Sequence, residues 1–225
     1  FYVMKNVYIT GTSRGIGISI KEKFSFNSWK TNDHDSEILN LENSDEVINF
    51  YKDEFKKNPP NSLVLNASDN QNILFNQLNQ KNIESTIKTN LTSTIYIIQN
   101  ALQYMIDDKF GRIVLIGSIW SKNTRASKSI YSITKSSLSG LCNTLTIEFA
   151  KHNILTNILS PGFVDTEMTN KNLNEKDKND FIKRIPQQRF AKPAEIAELA
   201  YFLGSDQNTY ITGQEIFVDG GFSIG

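Results

Sequence analysis

The eight residues Thr10-Gly11-Thr12-Ser13-Arg14-Gly15-Ile16-Gly17 constrain the fold of this chain more than any other segment. They end an apolar run, Asn6 to Thr10, that reads as a buried strand, and they open a segment of helical length. Glycines at 11, 15 and 17 permit a tight turn and a close approach of backbone to a ligand. The helix that follows offers unpaired N–H groups and the positive end of its dipole. At the first strand-to-helix turn of an α/β chain, this is a cradle for a pyrophosphate.

The rest of the sequence supplies that α/β context. Further strand-like runs are Ser62 to Asn66, Arg112 to Gly117, Leu155 to Leu159 and Glu215 to Val218. None alternates cleanly between apolar and polar residues, the pattern of strands buried on both faces of a parallel sheet. Segments of helical length lie between them, clearest at Ile83 to Ile106 and Tyr131 to Lys151. A third, Lys192 to Leu203, has Pro193 at its first helical position and Glu195 in its first turn. The rhythm predicts an α/β, Rossmann-type doubly wound parallel sheet of about seven strands. With 225 residues and no repeat, linker or low-complexity tract, it is expected to form a single dinucleotide-binding and catalytic domain over 1–225. The weakest region is Phe24 to Asn40, polar and short for the strand, helix and strand that belong there. Lys171 to Lys183 is charged, and reads either as a mobile helical flap or as a solvated surface helix.

Composition narrows the function. Lys plus Arg number 24, as do Asp plus Glu, so no overall basic field exists to hold a nucleic acid. One cysteine, Cys142, excludes an intrachain disulfide, and His34 and His152 alone build no Cys/His zinc site, so no metal is expected. No apolar run of membrane-spanning length and no signal pattern appear, so the expectation is a cytoplasmic protein without a membrane partner.

Cofactor choice rests on a few residues. Arg14, in the glycine turn, would pair with a ribose 2′-phosphate and favour NADP(H). Asp33 or Asp35 would accept from a free 2′-hydroxyl and favour NAD(H). Lys30 could support the phosphate instead. The balance leans slightly to NADP(H).

A catalytic group is readable too. Tyr131 and Lys135, four residues apart at the start of a helix, face the same side. Ser118 ends a strand at the carboxyl edge, where ligands bind in open α/β sheets. A free tyrosine has a pKa of about 10, and a neighbouring ammonium lowers it. Tyr131 would then give a proton to a carbonyl oxygen as hydride reaches the carbon, or take one in reverse, while the Ser118 hydroxyl orients the substrate. Taken alone, a tyrosine and lysine at this spacing are common on helix faces.

Taken together, these segments make the chain resemble the short-chain dehydrogenase/reductases, from about Lys5 to Phe222. The glycine turn is similar to TGxxxGxG, and Leu65-Asn66-Ala67-Ser68 to the segment that steadies the sheet beside the cofactor. Lys88-Thr89-Asn90-Leu91 resembles the segment of the catalytic asparagine, Ile116-Gly117-Ser118 the serine strand, and Tyr131 to Lys135 the YxxxK motif. Ser160-Pro161-Gly162-Phe163-Val164-Asp165-Thr166 resembles the segment that contacts the nicotinamide, and Val218-Asp219-Gly220-Gly221 the terminal strand.

The resemblance implies Asn90, Ser118, Tyr131 and Lys135 as catalytic residues. Lys135 would bind the nicotinamide ribose, and Asn90 would interrupt its helix and hold a water that relays protons toward Lys135. It implies cofactor contacts from Gly11, Ser13, Arg14, Gly15, Ile16, Gly17, Asp33, Leu41, Asn66, Ala67, Tyr131, Lys135, Pro161, Gly162, Val164 and Thr166. A homotetramer or homodimer is implied as well, through the helices near Ile83 and Tyr131. Three departures stand out. Ser68 replaces the usual glycine, Asn40-Leu41 stands where Asp-Val or Asp-Leu is common, and Trp120 stands where smaller residues are common, either walling the substrate pocket or packing. The compact reductases acting on 3-oxoacyl thioesters, together with sugar and polyol dehydrogenases, are the nearest flavour. The substrate is a small carbonyl or alcohol compound of unread identity. The alternatives are a sugar epimerase or dehydratase on the same fold and a non-catalytic NAD(P)-binding scaffold.

Overall fold

The computed structural model describes residues 4–34 and 38–225, and Asp35 therefore lies outside the described residues. Its centre is a six-stranded parallel sheet in the order β2-β1-β3-β4-β5-β6. The strands are β1 Asn6–Thr10, β2 Lys30–His34, β3 Ser62–Leu65, β4 Gly111–Ile116, β5 Ile154–Pro161 and β6 Glu215–Val218. Every pairing is parallel. Each crossover that carries a helix therefore lays that helix on one face of the sheet.

Apolar runs on the central strands split between two cores by simple alternation. Tyr8, Leu63, Leu65, Ile113, Leu115 and Ile158 point to one face, and Val7, Ile9, Val64, Val114, Ile116 and Leu159 to the other. The first face is covered by α2 (Ser44–Lys57), α4 (Ser93–Asp108) and α5 (Ser129–Phe149), through Val47, Tyr51, Phe55, Ile98, Met105 and Leu138. The second is covered by α1 (Gly15–Phe26) and α8 (Pro193–Gly204), through Ile20, Phe24, Ile196 and Ala200. Burying side chains of this size stabilises the fold by about 1.5–3 kcal/mol each, which is why these strands show no polar alternation.

The start of α8 follows its sequence signal. Pro193 sits in the first turn, and the Glu195 carboxylate accepts from the Lys192 backbone N–H at 2.7 Å. Arg189 grips the same carboxylate with two nitrogens at 2.6 and 2.7 Å.

Two expectations need correction. Among the described residues the sheet has six strands, not about seven. Residues 35–43 separate β2 from α2, too few for the crossover of a dozen or more residues that another parallel strand requires. The segment Ile83 to Ile106 is not one helix. It divides into α3 (Gln80–Ile87), a wider π-helical turn at Lys88–Thr92, and α4. That turn carries Asn90, and interruptions of this kind recur at functional sites.

The charged stretch Lys171 to Lys183 spans the end of α6 (Glu167–Asn172) and most of α7 (Glu175–Arg184). The α7 helix exposes most of its surface but seats Phe181 against Phe163, with ring centroids 4.3 Å apart. Among the described residues, no helix is long and apolar enough to cross a membrane.

Candidate active site

Strand order reverses direction between β1 and β3, and the crevice outside their carboxyl ends is where ligands enter such sheets. Here a cleft of about 660 Å³ runs from Leu39, Asn40 and Leu41 past the glycine turn to Ser118 and Tyr131.

The turn is held by its neighbours. The Thr10 hydroxyl accepts from the backbone N–H groups of Asn66 and Ala67, both at 3.0 Å. The Asn66 amide donates back to the carbonyls of Thr10 at 3.1 Å and Gly11 at 2.9 Å. Gly11 has φ +72, and a Cβ there would meet the Ala67 backbone at 2.9 Å. A Cβ on Gly17 would lie 1.9 Å from the Gly11 carbonyl oxygen. Gly17 therefore serves close packing of helix on turn and does not line the cleft, whereas Gly11, Ser13, Arg14, Gly15 and Ile16 do. Thr10 is the residue that sequence reasoning missed here. Its signal was a hydroxyl at the last strand position before the turn.

The adenosine end departs from the sequence reading. Asp33 does not line the cleft. Its carboxylate accepts from the Thr12 hydroxyl and pairs with Lys21, both at 2.9 Å. Lys30 is at the opposite end of β2 and donates to Asn58 at 2.7 Å, so it is not placed to support a phosphate. Arg14 stands exposed at the lip, and Leu41 lines the cleft.

Four elements bring the chemical groups together. Ser118 follows β4 and caps the short turn Ile119–Ser121, its hydroxyl accepting from the Trp120 N–H at 3.2 Å. Tyr131 and Lys135 lie in the first two turns of α5, and both are buried. The Lys135 ammonium donates to the Ile116 carbonyl at 2.7 Å. Pro161, Gly162, Val164 and Thr166 close the far wall, and Thr166 caps α6 by accepting from the Thr169 N–H at 3.2 Å.

Asn90 is buried but does not line the cleft. Its side-chain oxygen accepts from the Asp69 N–H at 2.7 Å, and its amide donates to the Asp69 carbonyl at 2.9 Å and the Thr134 hydroxyl at 3.0 Å. The π-helical turn thereby ties the loop after β3 to α5.

Electrostatics set the protonation states. Burial pushes the Tyr131 phenol above its ordinary pKa, while hydrogen bonding from Ser118 and Ser68 pulls it down, and the net direction is upward. The sequence reading has Lys135 lowering that pKa, but in this arrangement desolvation outweighs the opposing influences. Burial also lowers Lys135 to about 8. Ser68, which replaces the usual glycine, thus lies in the cleft beside the phenol without closing it. Trp120 both walls the cleft and packs edge-on against Phe163, centroids 6.0 Å apart. Among the cleft residues that went unread in the sequence are two cations, Arg125 and Lys128. Lys128, Tyr131 and Lys135 follow the i, i+3, i+7 spacing of one helix face, which was the signal for Lys128, whereas Arg125 lies before the helix and had none.

No group built into this chain can supply a hydride. The cleft fits a dinucleotide: a glycine turn with backbone held open, a helix N-terminus, and a continuous path to a phenol and an ammonium. A twisted parallel sheet with these groups at its carboxyl edge defines an oxidoreductase that interconverts carbonyl and alcohol with a nicotinamide cofactor.

Comparison with known proteins places it more closely. A family model described as enoyl-(acyl carrier protein) reductase matches residues 38–223. A 3-oxoacyl-[acyl-carrier-protein] reductase of Buchnera aphidicola is 33% identical over 236 residues, covering 96% of each chain. Among solved structures, the ligand-free aldohexose dehydrogenase of Thermoplasma acidophilum is 28% identical, with a TM-score of 0.91 over 99% of this chain and 95% of that one. The NADP-bound 3-oxoacyl (acyl-carrier-protein) reductase of Agrobacterium tumefaciens is 25% identical, with a TM-score of 0.88 over 96% and 93%. The chain belongs to the short-chain dehydrogenase/reductase family, and it is similar to that family's 3-oxoacyl-[acyl-carrier-protein] reductases.

Proposed function

We propose that this protein is an NADP(H)-preferring carbonyl reductase in which Tyr131 is the proton donor, acting as one dinucleotide-binding and catalytic unit over 1–225. The observation that carries the reading is the convergence of Ser118, Tyr131 and Lys135 on the cleft that the glycine turn opens.

A bound nicotinamide supplies or accepts hydride at the substrate carbon. Ser118 donates a hydrogen bond to the substrate oxygen and orients it. Tyr131 gives its proton to that oxygen as the alcohol forms. The upward displacement of its pKa keeps it protonated at neutral pH and suits it to reduction. Lys135 holds the nicotinamide ribose and offers positive charge beside the phenolate left behind. Asn90 acts from outside the cleft, steadying the Asp69 loop and α5 through its three hydrogen bonds. Gly11, Ser13, Arg14, Gly15 and Ile16 hold the phosphates, with Asn66 and Ala67 beside them.

Cofactor preference follows from charge. The Asp33 carboxylate, which would select a free 2′-hydroxyl, is engaged by Lys21 and Thr12, and Arg14 is exposed at the lip. Both facts support a 2′-phosphate. The NADP-bound reductase of Agrobacterium tumefaciens, 25% identical, supports this reading.

The outer face of α5 supports a homodimer or homotetramer. Ile133 is 56% exposed and Ile147 83%. Gly140, midway between them, has no atom within 4 Å of where a Cβ would stand. Isoleucines and a glycine seven residues apart form one stripe able to seat a second helix closely. Such an enzyme works in the cytoplasm on a small carbonyl or alcohol substrate.

The test is a panel of carbonyl compounds followed at the nicotinamide absorbance with NADPH and NADH: acyl thioesters, sugars and steroids. Turnover with NADPH at a higher kcat/KM than with NADH is expected. Silence across the panel removes the catalytic reading, and tight binding of NADH alone reverses the cofactor preference.

A further inference from the structure

Two cations stand at the substrate end of the cleft, and the chemistry assigned above uses neither. Lys128 immediately precedes α5 and is only 4% exposed. Its ammonium lies 5.4 Å from the centre of the Tyr131 ring and donates to the Asn70 side-chain oxygen. An ammonium has three donors, so two remain for a ligand. Arg125 lines the same cleft, its guanidinium 5.7 Å from the ring centre of Trp120 and 5.6 Å from that of Phe181. The Arg125 Nε is buried with no hydrogen-bond partner.

Among the described residues, neither cation has a carboxylate within ion-pair distance. The carboxylate that acts on Lys128 from beyond that distance is Asp69, which accepts from Gln71 at 2.6 Å and Thr86 at 2.7 Å. Burial and the neighbouring Arg125 together lower Lys128 to about 8. Two mutually repelling, partly desolvated cations without a counter-ion destabilise the site unless an anion completes it.

We propose that the substrate carries an oxyanion, a carboxylate or a phosphate ester, a few bonds from the reacting carbonyl, and that Arg125 and Lys128 hold it. This rests on the reading of Tyr131 as proton donor, because the position of Lys128 beside that ring sets the spacing. A compact oxo acid or phosphorylated sugar spans it. A fatty acyl thioester on a carrier does not. Its phosphate lies many bonds from the carbonyl, and its apolar chain would leave both cations unpaired. The aromatic rings beside Arg125 hold the guanidinium plane in place, leaving its N–H fork for a two-oxygen contact.

The test uses the full chain with NADP⁺ bound. Glucose, gluconate, glucose monophosphate and acetoacetyl thioester are compared by calorimetric binding and, where turnover occurs, by kcat/KM. Gluconate or glucose monophosphate should bind at least about tenfold more tightly than glucose, and the stronger of the two identifies the oxyanion. Arg125→Gln and Lys128→Gln should erase that margin through KM while changing glucose binding less than about threefold. Lys128→Arg should restore part of it. Equal binding of glucose and both anions, an unchanged margin in both glutamine variants, or preference for the thioester would overturn the proposal. The catalytic reading fails separately: it falls if Tyr131→Phe turns over substrate normally, whatever the anion preference.

Discussion

Lys135 and Tyr131 share one face of α5, with the Lys135 ammonium 5.6 Å from the centre of the Tyr131 ring and anchored to the Ile116 carbonyl at 2.7 Å. The anchor comes from the last residue of β4, two positions before Ser118, so one strand end sets the places of all three groups. If Tyr131 delivers the proton, Tyr131→Phe keeps the ring and its packing but removes the donor. The expected result is a fall in kcat of about 10²–10⁴-fold, with NADPH affinity, measured by fluorescence titration, within a few-fold of the parent. Full activity in this variant would remove Tyr131 from the mechanism.

The pH profile follows from the same pair. Burial raises the Tyr131 pKa, so the proton donor stays loaded through neutral pH. Burial lowers Lys135 to about 8, so its positive charge is present below that pH and lost above it. For carbonyl reduction, kcat/KM should be flat through the neutral range and decline above about pH 8, when the ammonium no longer stabilises the phenolate that proton transfer leaves. Alcohol oxidation, which needs the phenolate first, should instead gain as pH rises from neutral toward that value. Reduction that accelerates through pH 8 would contradict the assignment.

The glycine turn predicts a sharper sensitivity at Gly17 than its distance from the chemistry suggests. An alanine methyl at Gly17 would overlap the Gly11 carbonyl oxygen at 1.9 Å and press on the Asn66 amide at 2.7 Å. The carbonyl is backbone and can yield only if the turn opens. Overpacking of this kind costs about 1–3 kcal/mol, and the displaced Gly11 should also spoil the phosphate cradle. Gly17→Ala should lower the urea midpoint and weaken NADPH binding together. A variant with parental affinity would show that the turn tolerates the shift.

What the sequence made legible was what local chemistry dictates. Buried strands announce themselves because both faces must be apolar, and the start of α8 because Pro193 and Glu195 suit only a first turn. Tyr131, Lys135 and Ser118 were readable because their spacing matches one helix face and one strand end. The missed features depend on what faces them from elsewhere. Asp33 lies on β2, a strand its polar sequence does not announce, and no local pattern says that Lys21, on α1, reaches its carboxylate. Arg125 carries no local mark of its place and Lys128 only its spacing from Tyr131; the fold is what sets them beside Trp120 and Tyr131. That the described residues form six strands and not about seven accords with the shortness of Phe24 to Asn40, which has too few residues for a further crossover.

Asn90 offers the last test, because its assigned place is structural support for the site from outside the cleft. Its three side-chain hydrogen bonds join the π-helical turn to the Asp69 backbone and to Thr134 of α5. Asn90→Ala leaves the part-buried Asp69 N–H and carbonyl without these partners, and groups beside an open cleft recover part of the loss from water. The variant should therefore lose about 1–3 kcal/mol in urea unfolding. The Asp69 amide should exchange hydrogen faster than in the parent, while amides in β4 and β5 change only in step with global stability. Asp69 is also the carboxylate that acts on Lys128, so a loosened loop should shift the substrate KM more than the NADPH affinity. Unchanged exchange at Asp69 with a large fall in kcat would mean that Asn90 acts on the proton path itself.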